Sequence, residues 1–204
     1  VAERRFGVPT PETTSTVYDR DWDTADVSGQ TYENIAFSHV DMTDSTGDGA
    51  TFSECVFRNV DFNVSTFTNS AFLNCTFTGC NFFDASFTDC KLVGSMFERC
   101  EFDLLKVRGG DWSMAGLPGA DLRRATLTGV RMREADLTGA RCAGATLTRL
   151  VLTDAVLHNA DLSGCDLRGS DLSAVDPFNV KLQGATIEPD QAFVLASALG
   201  VDIR

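Results

Sequence analysis

Acidic residues recur at intervals of 20 along much of this chain: Asp21, Asp41 and Asp61, then Glu101, Asp121 and Asp161, with Asn81, Arg141 and Lys181 filling the remaining places. Asp23, Asp44, Asp84 and Asp103 keep close company with that series. If positions 20 apart lie above one another, these side chains form a stripe of like charge, which repels itself and attracts a basic partner. Val64, Phe83 and Leu104 fall among the acids and would place an apolar contact inside a charged face.

Other reactive side chains offer less. Six of the seven cysteines (Cys55, Cys75, Cys80, Cys90, Cys100 and Cys165) sit at positions otherwise held by Ala or Ser, and Cys142 sits where Leu usually stands. Buried free cysteine behaves as a small hydrophobe. Cys55 with Cys75 and Cys80 with Cys100 are 20 residues apart, within disulfide reach if they stack. The odd count and the lack of a secretory leader argue against that pairing. No C-x2-C pair supports a zinc site. His39 and His158, the two histidines, join no Ser-His-Asp or metal-ligand grouping, and no glycine-rich phosphate loop is present. The residues supply no catalytic candidate, no metal site and no cofactor site, and the protein is read as a non-enzyme.

What gives the interval its meaning is a period of five. From Trp22 to Ile187, every position ending in 2 or 7 is apolar except Gly47 and Pro177. Between Phe52 and Phe102 these positions are Phe apart from Leu92; from Val107 onward they are mostly Leu. Positions ending in 0 or 5 are small or aliphatic from Ala50 to Ala185 and never charged. A period of five matches neither a helix at 3.6 nor a strand at 2. The large residue and the small residue two places before it share one side of a short extended segment. Two places after the large residue stand Asn59, Asn69, Gly79, Asp84, Gly129 and Gly139, which tolerate the positive φ of a tight turn. A turn every five residues, always toward the large side chain, closes a square coil of about 20 residues, and coils stack roughly 4.8 Å apart. The predicted fold is an all-β solenoid, with the acids in one column. The change from Phe to Leu predicts two halves that differ in cross-section or turn type.

The repeat "ADLTG" (135–139) and "ADLSG" (160–164), carried through about residues 21–187, resembles the pentapeptide-repeat family, whose motif is A(D/N)LXX. The resemblance implies a right-handed quadrilateral β-helix. In pattern the chain is most similar to the mycobacterial fluoroquinolone-resistance type, because its register is unbroken and "DQA" opens its last helix.

The ends are read separately. Residues 1–16 are expected to be flexible. The repeat occupies 17–187, with irregular sides near 44–50 and 176–178, where Gly47 and Pro177 interrupt the pattern. At the C-terminus, Pro189 and the stripe Ala192, Leu195, Ala196 and Leu199 predict a helix over 189–199, stopped by Gly200. A short strand over 201–203, including Val201 and Ile203, follows. A solenoid needs a cap over its open core, and the resemblance adds a two-fold dimer contact through these same residues.

The chain has 204 residues and a net charge of −12. Direct nucleic-acid binding requires a basic footprint and is disfavoured. No apolar run is long enough to cross a membrane, and no signal peptide is evident; a cytoplasmic location is expected. The resemblance implies a homodimeric mimic of DNA whose acidic stripe occupies the DNA-binding groove of DNA gyrase or topoisomerase IV, countering quinolone-like or natural-product inhibitors. The competing expectation is a structural scaffold with an unrelated partner, since fold does not fix function.

Overall fold

The computed structural model describes residues 9–202. It is a parallel β-solenoid closed at its C-terminal end by one short helix. Every strand pair is parallel and offset by 20 residues: Val17 lies against Phe37, Phe37 against Phe57, Phe57 against Phe77 and Phe77 against Phe97. Three sides of the square carry strands in the first half of the chain, such as Ile35–Ser38, Thr51–Ser53 and Thr66–Thr68. The fourth side carries none. There, single bridges link Asp21 to Asp41, Asp41 to Asp61, Asp61 to Asn81 and Asn81 to Glu101. Each of these segments then closes a turn, as in Ser45 N–H to the Met42 carbonyl (3.2 Å) and Ala85 N–H to Phe82 (3.1 Å).

The core answers the period of five. All the residues from Phe37 to Leu172 that end in 2 or 7 are buried, Gly47 included. In the Phe-rich half the rings stack directly over one another at the coil spacing. The Phe57–Phe77 and Phe77–Phe97 centroids are each 4.7 Å apart, with planes within 6° of parallel. Rings on neighbouring sides of one coil meet edge-on, as Phe57 and Phe62 do at 5.5 Å, the arrangement a ring quadrupole favours. The Leu-rich half leaves an apolar cavity of about 20 Å³ bordered by Leu127, Met132, Leu147 and Leu152. The turn type changes as well: beyond Gly110 only Thr126–Thr128 and Thr146–Thr148 remain as strands among the described residues.

Several boundaries differ from the sequence reading. Pairing begins at Ser15–Tyr18, against Ile35–Ser38, so extended structure reaches into the segment expected to be flexible; residues 1–8 lie outside the described residues. Residues 44–50 are not irregular. Thr46–Asp48 is a strand in register with Thr66–Thr68, because the Phe67 ring occupies the room beside Gly47: a Cβ there would stand 2.7 Å from Phe67 Cδ1. At Pro177 the side is replaced by a turn in which the Asn179 and Val180 N–H groups both donate to the Asp176 carbonyl.

The helix runs Pro189–Ala198, with Glu188 as N-cap in a capping box with Gln191. Gly200 (φ +77°) and Val201 donate back to Ser197 and Ala196, which ends the helix in a Schellman turn. Val201 and Asp202 form no strand; the expected strand is absent over them because their position is fixed by that turn, and Ile203 lies outside the described residues. Gln191 is buried, and its amide donates to the Leu167 and Ser170 carbonyls at 2.8 and 2.7 Å, tying the helix to the last coils.

Candidate functional site: the acidic face

The residues expected in the acidic stripe do lie on one side of the square, the side built wholly from turns. The turn explains why Asp recurs there. Asp41 Oδ1 accepts the Thr43 N–H at 2.9 Å, Asp21 accepts that of Asp23, and Asp161 that of Ser163. An aspartate two residues ahead satisfies a turn N–H that the ladder cannot reach. One carboxylate oxygen is thus held by backbone while the other faces outward.

The stripe is not uniform. Asp84, Asp103, Asp121 and Asp161 each hold a cation: Lys106, Arg124, Arg123 with Arg141, and Lys181 respectively. Asp21, Asp23, Asp41, Asp44, Asp61 and Glu101 make no ion pair among the described residues. Their mutual repulsion is visible at Asp61, whose carboxyl is raised above its ordinary range by partial burial and by the charges of Asp41 and Glu101. Asp121 is instead held low by its hydrogen bond from Arg123. The division extends beyond the stripe. Residues 9–104 contain 16 Asp and Glu against four Lys and Arg; residues 105–202 contain 12 against 10. The net charge therefore resides in the first half of the solenoid. Counting charge by position rather than by column exposes this in the sequence.

Of the expected apolar contact, Val64 and Phe83 are more than two-fifths exposed on adjacent coils, joined by the Val64 N–H to Phe83 carbonyl bond at 2.8 Å. Leu104 is half-buried, so the outward patch is smaller than expected. Val64 also has φ +59°, a position a β-branched residue adopts only under strain.

The backbone ladder on this face is interrupted once. Phe82 N–H bonds to Glu101, and Leu122 N–H to Arg141. The equivalent bonds from Phe102 to Asp121 and from Asp121 to Cys100 are missing, and an open groove of about 590 Å³ lies there, bordered by Cys100, Glu101, Phe102, Asp103, Asp121 and Arg141. The interruption coincides with a change of turn on the preceding side, from the strand Met96–Glu98 to a turn with Pro118 and Gly119 at its centre.

None of the seven cysteines is in a disulfide, and six are fully buried; Cys100, beside the groove, is half-buried. Their role is more than packing. The carbonyl of a large residue accepts the turn N–H where its side is a turn, and lacks that turn bond where its side is a strand. Cys55, Cys75, Cys80, Cys90 and Cys100 direct their thiols at such carbonyls, those of Tyr32, Phe52, Phe57, Phe67 and Phe77, at 3.3–3.6 Å. Ser70, Ser95 and Ser170 do the same for Gly47, Phe72 and Leu147. Among the described residues no group of three or more His, Cys, Asp or Glu is arranged to hold a metal. His39 meets Ser38, Asn59 and the Tyr18 ring, and no aspartate. No helix among the described residues is long and apolar enough to cross a membrane.

At the C-terminal end the expected contact residues divide. Leu195 packs on the core and Ala196 is half-buried, whereas Ala192, Leu199 and Val201 are exposed. The helix also exposes Phe193 and Val194, and Phe178 nearby in sequence is 76% exposed; the sequence reading, restricted to one helical stripe, did not include these three.

The five-residue inward period has a counterpart among known families: the Pentapeptide repeats model matches residues 48–82, 65–99, 115–141 and 135–173. The chain belongs to the pentapeptide-repeat family. Its fold is similar to that of a trypsin-treated variant of QnrB1, a plasmid-mediated fluoroquinolone resistance protein, with a TM-score of 0.74 and 20% identity over 95% of this chain and 99% of that one. Full-length QnrB1 gives a TM-score of 0.62 and 18% identity over 93% and 99%. At that identity the likeness concerns the fold. No curated protein matches the chain in sequence.

Proposed function

We propose that this protein is a non-enzymatic DNA mimic that binds DNA gyrase, or the related topoisomerase IV, and counters quinolone-like or natural-product inhibitors of them. The observation that carries the reading is the set of unpaired carboxylates Asp21, Asp41, Asp61 and Glu101, aligned by backbone bridges on the half of the rod that holds the net charge. One carboxylate per coil is a charge every ~4.8 Å; Asp23 and Asp44 raise the density toward the one charge per ~3.4 Å of a single DNA strand. The fold it shares with a fluoroquinolone resistance protein gives the reading its target. The stripe's acids in the second half, Asp121 and Asp161, are paired to Arg and Lys and contribute little. The exposed Phe193, Val194, Leu199 and Val201 suit a two-fold contact that joins two rods into a longer one.

The test is binding to purified gyrase at low and high salt, with supercoiling followed in the presence of a quinolone. Affinity should fall steeply with salt. The variant Asp41→Asn/Asp61→Asn/Glu101→Gln should bind about tenfold or more weakly, and Asp161→Asn/Asp166→Asn should bind like the parent. Equal losses from both variants, or affinity indifferent to salt, would refute the mechanism.

A further inference from the structure

Cys80 and Cys100 occupy the same corner of adjacent coils. The bonds on either side of them, Gly79 N–H to Glu98 (2.9 Å) and Glu101 N–H to Cys80 (3.0 Å), hold those coils at the normal ladder spacing. At ~4.8 Å the two Cα atoms fall within the range a disulfide spans, and the two thiols are aimed at the Phe57 and Phe77 carbonyls, which are themselves paired on adjacent coils. Above Cys100 the situation differs from every other cysteine. Its carbonyl lacks the bond that Asp121 N–H would give, the groove opens beside it, and it is the one cysteine not fully buried. This corner is therefore reachable from solvent and free to shift by the fraction of an ångström that bond formation requires. Cys55 and Cys75 stack in the same way but are both wholly buried, with Glu54 N–H bonded to Leu73 and Thr76 N–H to Cys55.

We infer that Cys80 and Cys100 are an oxidisable pair, closed to a disulfide by a hydroperoxide that enters through the groove. Cys100 is the attacking sulfur: it borders the groove and is the less buried of the two, and the neighbouring Cys80 thiol holds it below the ordinary thiol range, while burial pushes Cys80 up. The Cys100 thiolate attacks the hydroperoxide, the O–O bond breaks, and an alcohol or water departs, leaving a sulfenic acid. The Cys80 sulfur then displaces hydroxide from that sulfur, and the Cys80 proton leaves with it as water. The two thiols lose two hydrogens and two electrons, and the hydroperoxide is reduced. The new bond lies at the edge of the free-carboxylate face, next to Glu101. The inference rests on the groove and the corner, and holds whatever partner that face binds.

The experiment treats the full chain with hydrogen peroxide, then alkylates it in denaturant, followed by intact mass and non-reducing peptide mapping. The expected result is loss of two hydrogens, two thiols fewer to alkylate, and a Cys80–Cys100 link. In Cys80→Ser the link should vanish and dimedone should label Cys100; serine holds the same inward site at Ser70 and Ser95, so this exchange keeps the local packing. Seven free thiols after treatment of a chain with an unchanged far-UV spectrum would overturn the inference. So would a Cys55–Cys75 link forming equally fast, or Cys100 over-oxidised with no link in the parent chain.

Discussion

Ser65→Ala and Ser70→Ala should move stability in opposite directions. The two serines are five residues apart on neighbouring sides of one coil, both at the small inward site and both at most 1% exposed. Ser65 follows a turn whose own N–H to carbonyl bond, Ser65 to Phe62, is made at 3.1 Å. One coil below, the Met42 carbonyl that its hydroxyl would seek is already taken by the Ser45 N–H, and Ser65 Oγ has no partner. Ser70 lies above the strand Thr46–Asp48, which makes no such turn bond. Its hydroxyl accepts the Ala50 N–H at 3.1 Å and reaches the Gly47 carbonyl at 3.0 Å. Removing it strands a buried donor and a buried acceptor, a cost of about 1–3 kcal/mol. Removing the Ser65 hydroxyl relieves an unsatisfied buried group and should be neutral or stabilising by up to about 1 kcal/mol. Because both belong to one coil, they report on the same cooperative segment of the array. In urea unfolding followed by far-UV circular dichroism, Ser70→Ala should lower the midpoint by about 0.5 M and Ser65→Ala should raise it or leave it, on an m-value of ~3 kcal/mol/M. Midpoints that fall together by similar amounts would refute the claim that side geometry decides which hydroxyl is useful.

Asp61→Asn should stabilise the protein at neutral pH by up to about 0.5 kcal/mol, the scale of an exposed pair. The raised folded-state carboxyl costs stability while charged, so the gain should disappear as pH falls through it toward 3.8. Asp121→Asn should act with the opposite sign: its carboxyl is held below 3.8 by Arg123, so its contribution is present above that pH and is lost as pH falls through the lower folded value. Thermal unfolding of both variants across acid pH checks the pair. Gly110→Ala should cost about 2–5 kcal/mol, combining a positive φ of 83° with a Cβ that would stand 2.1 Å from the Cys90 carbonyl oxygen. Gly129→Ala, at φ 68° in open space, should cost only about 1 kcal/mol, and urea midpoints separate the two.

The coil, its 20-residue register and its buried stripe were legible because they depend on side-chain size alone: Phe57, Phe77 and Phe97 must face inward whatever the turn between them does. What escaped the sequence depends on turn type, which a single residue does not announce. Gly47 looked like a break because it lacks a side chain, yet the neighbouring ring of Phe67 fills the place, and only the coil above could reveal that. The cysteines looked like fillers, since thiol and methyl are close in size; their use as donors becomes visible once strand sides are told from turn sides. The acidic column was legible as a column but not as two halves, because pairing such as Arg124 to Asp103, on coils 21 residues apart, depends on where long side chains fold back.

The turn face also explains how a chain can hold many like charges in line without losing its fold. A ladder of acids on a strand side would stand with both carboxylate oxygens in solvent, and each would repel its neighbour at the coil spacing. On the turn side, Asp21, Asp41 and Asp161 each bind an N–H that would otherwise lack a partner, so the group that repels its neighbours also completes its own turn. Asp61 and Glu101 receive no such bond, and Asp61 is the carboxyl on this face that is held high. The stripe is supported by backbone at Asp21, Asp41 and Asp161, and its repulsion shows at Asp61. If the face binds a basic surface as proposed, Asp61 is the carboxylate such a surface would relieve most, so Asp61→Asn should cost more affinity than Asp21→Asn, and equal losses would refute that order.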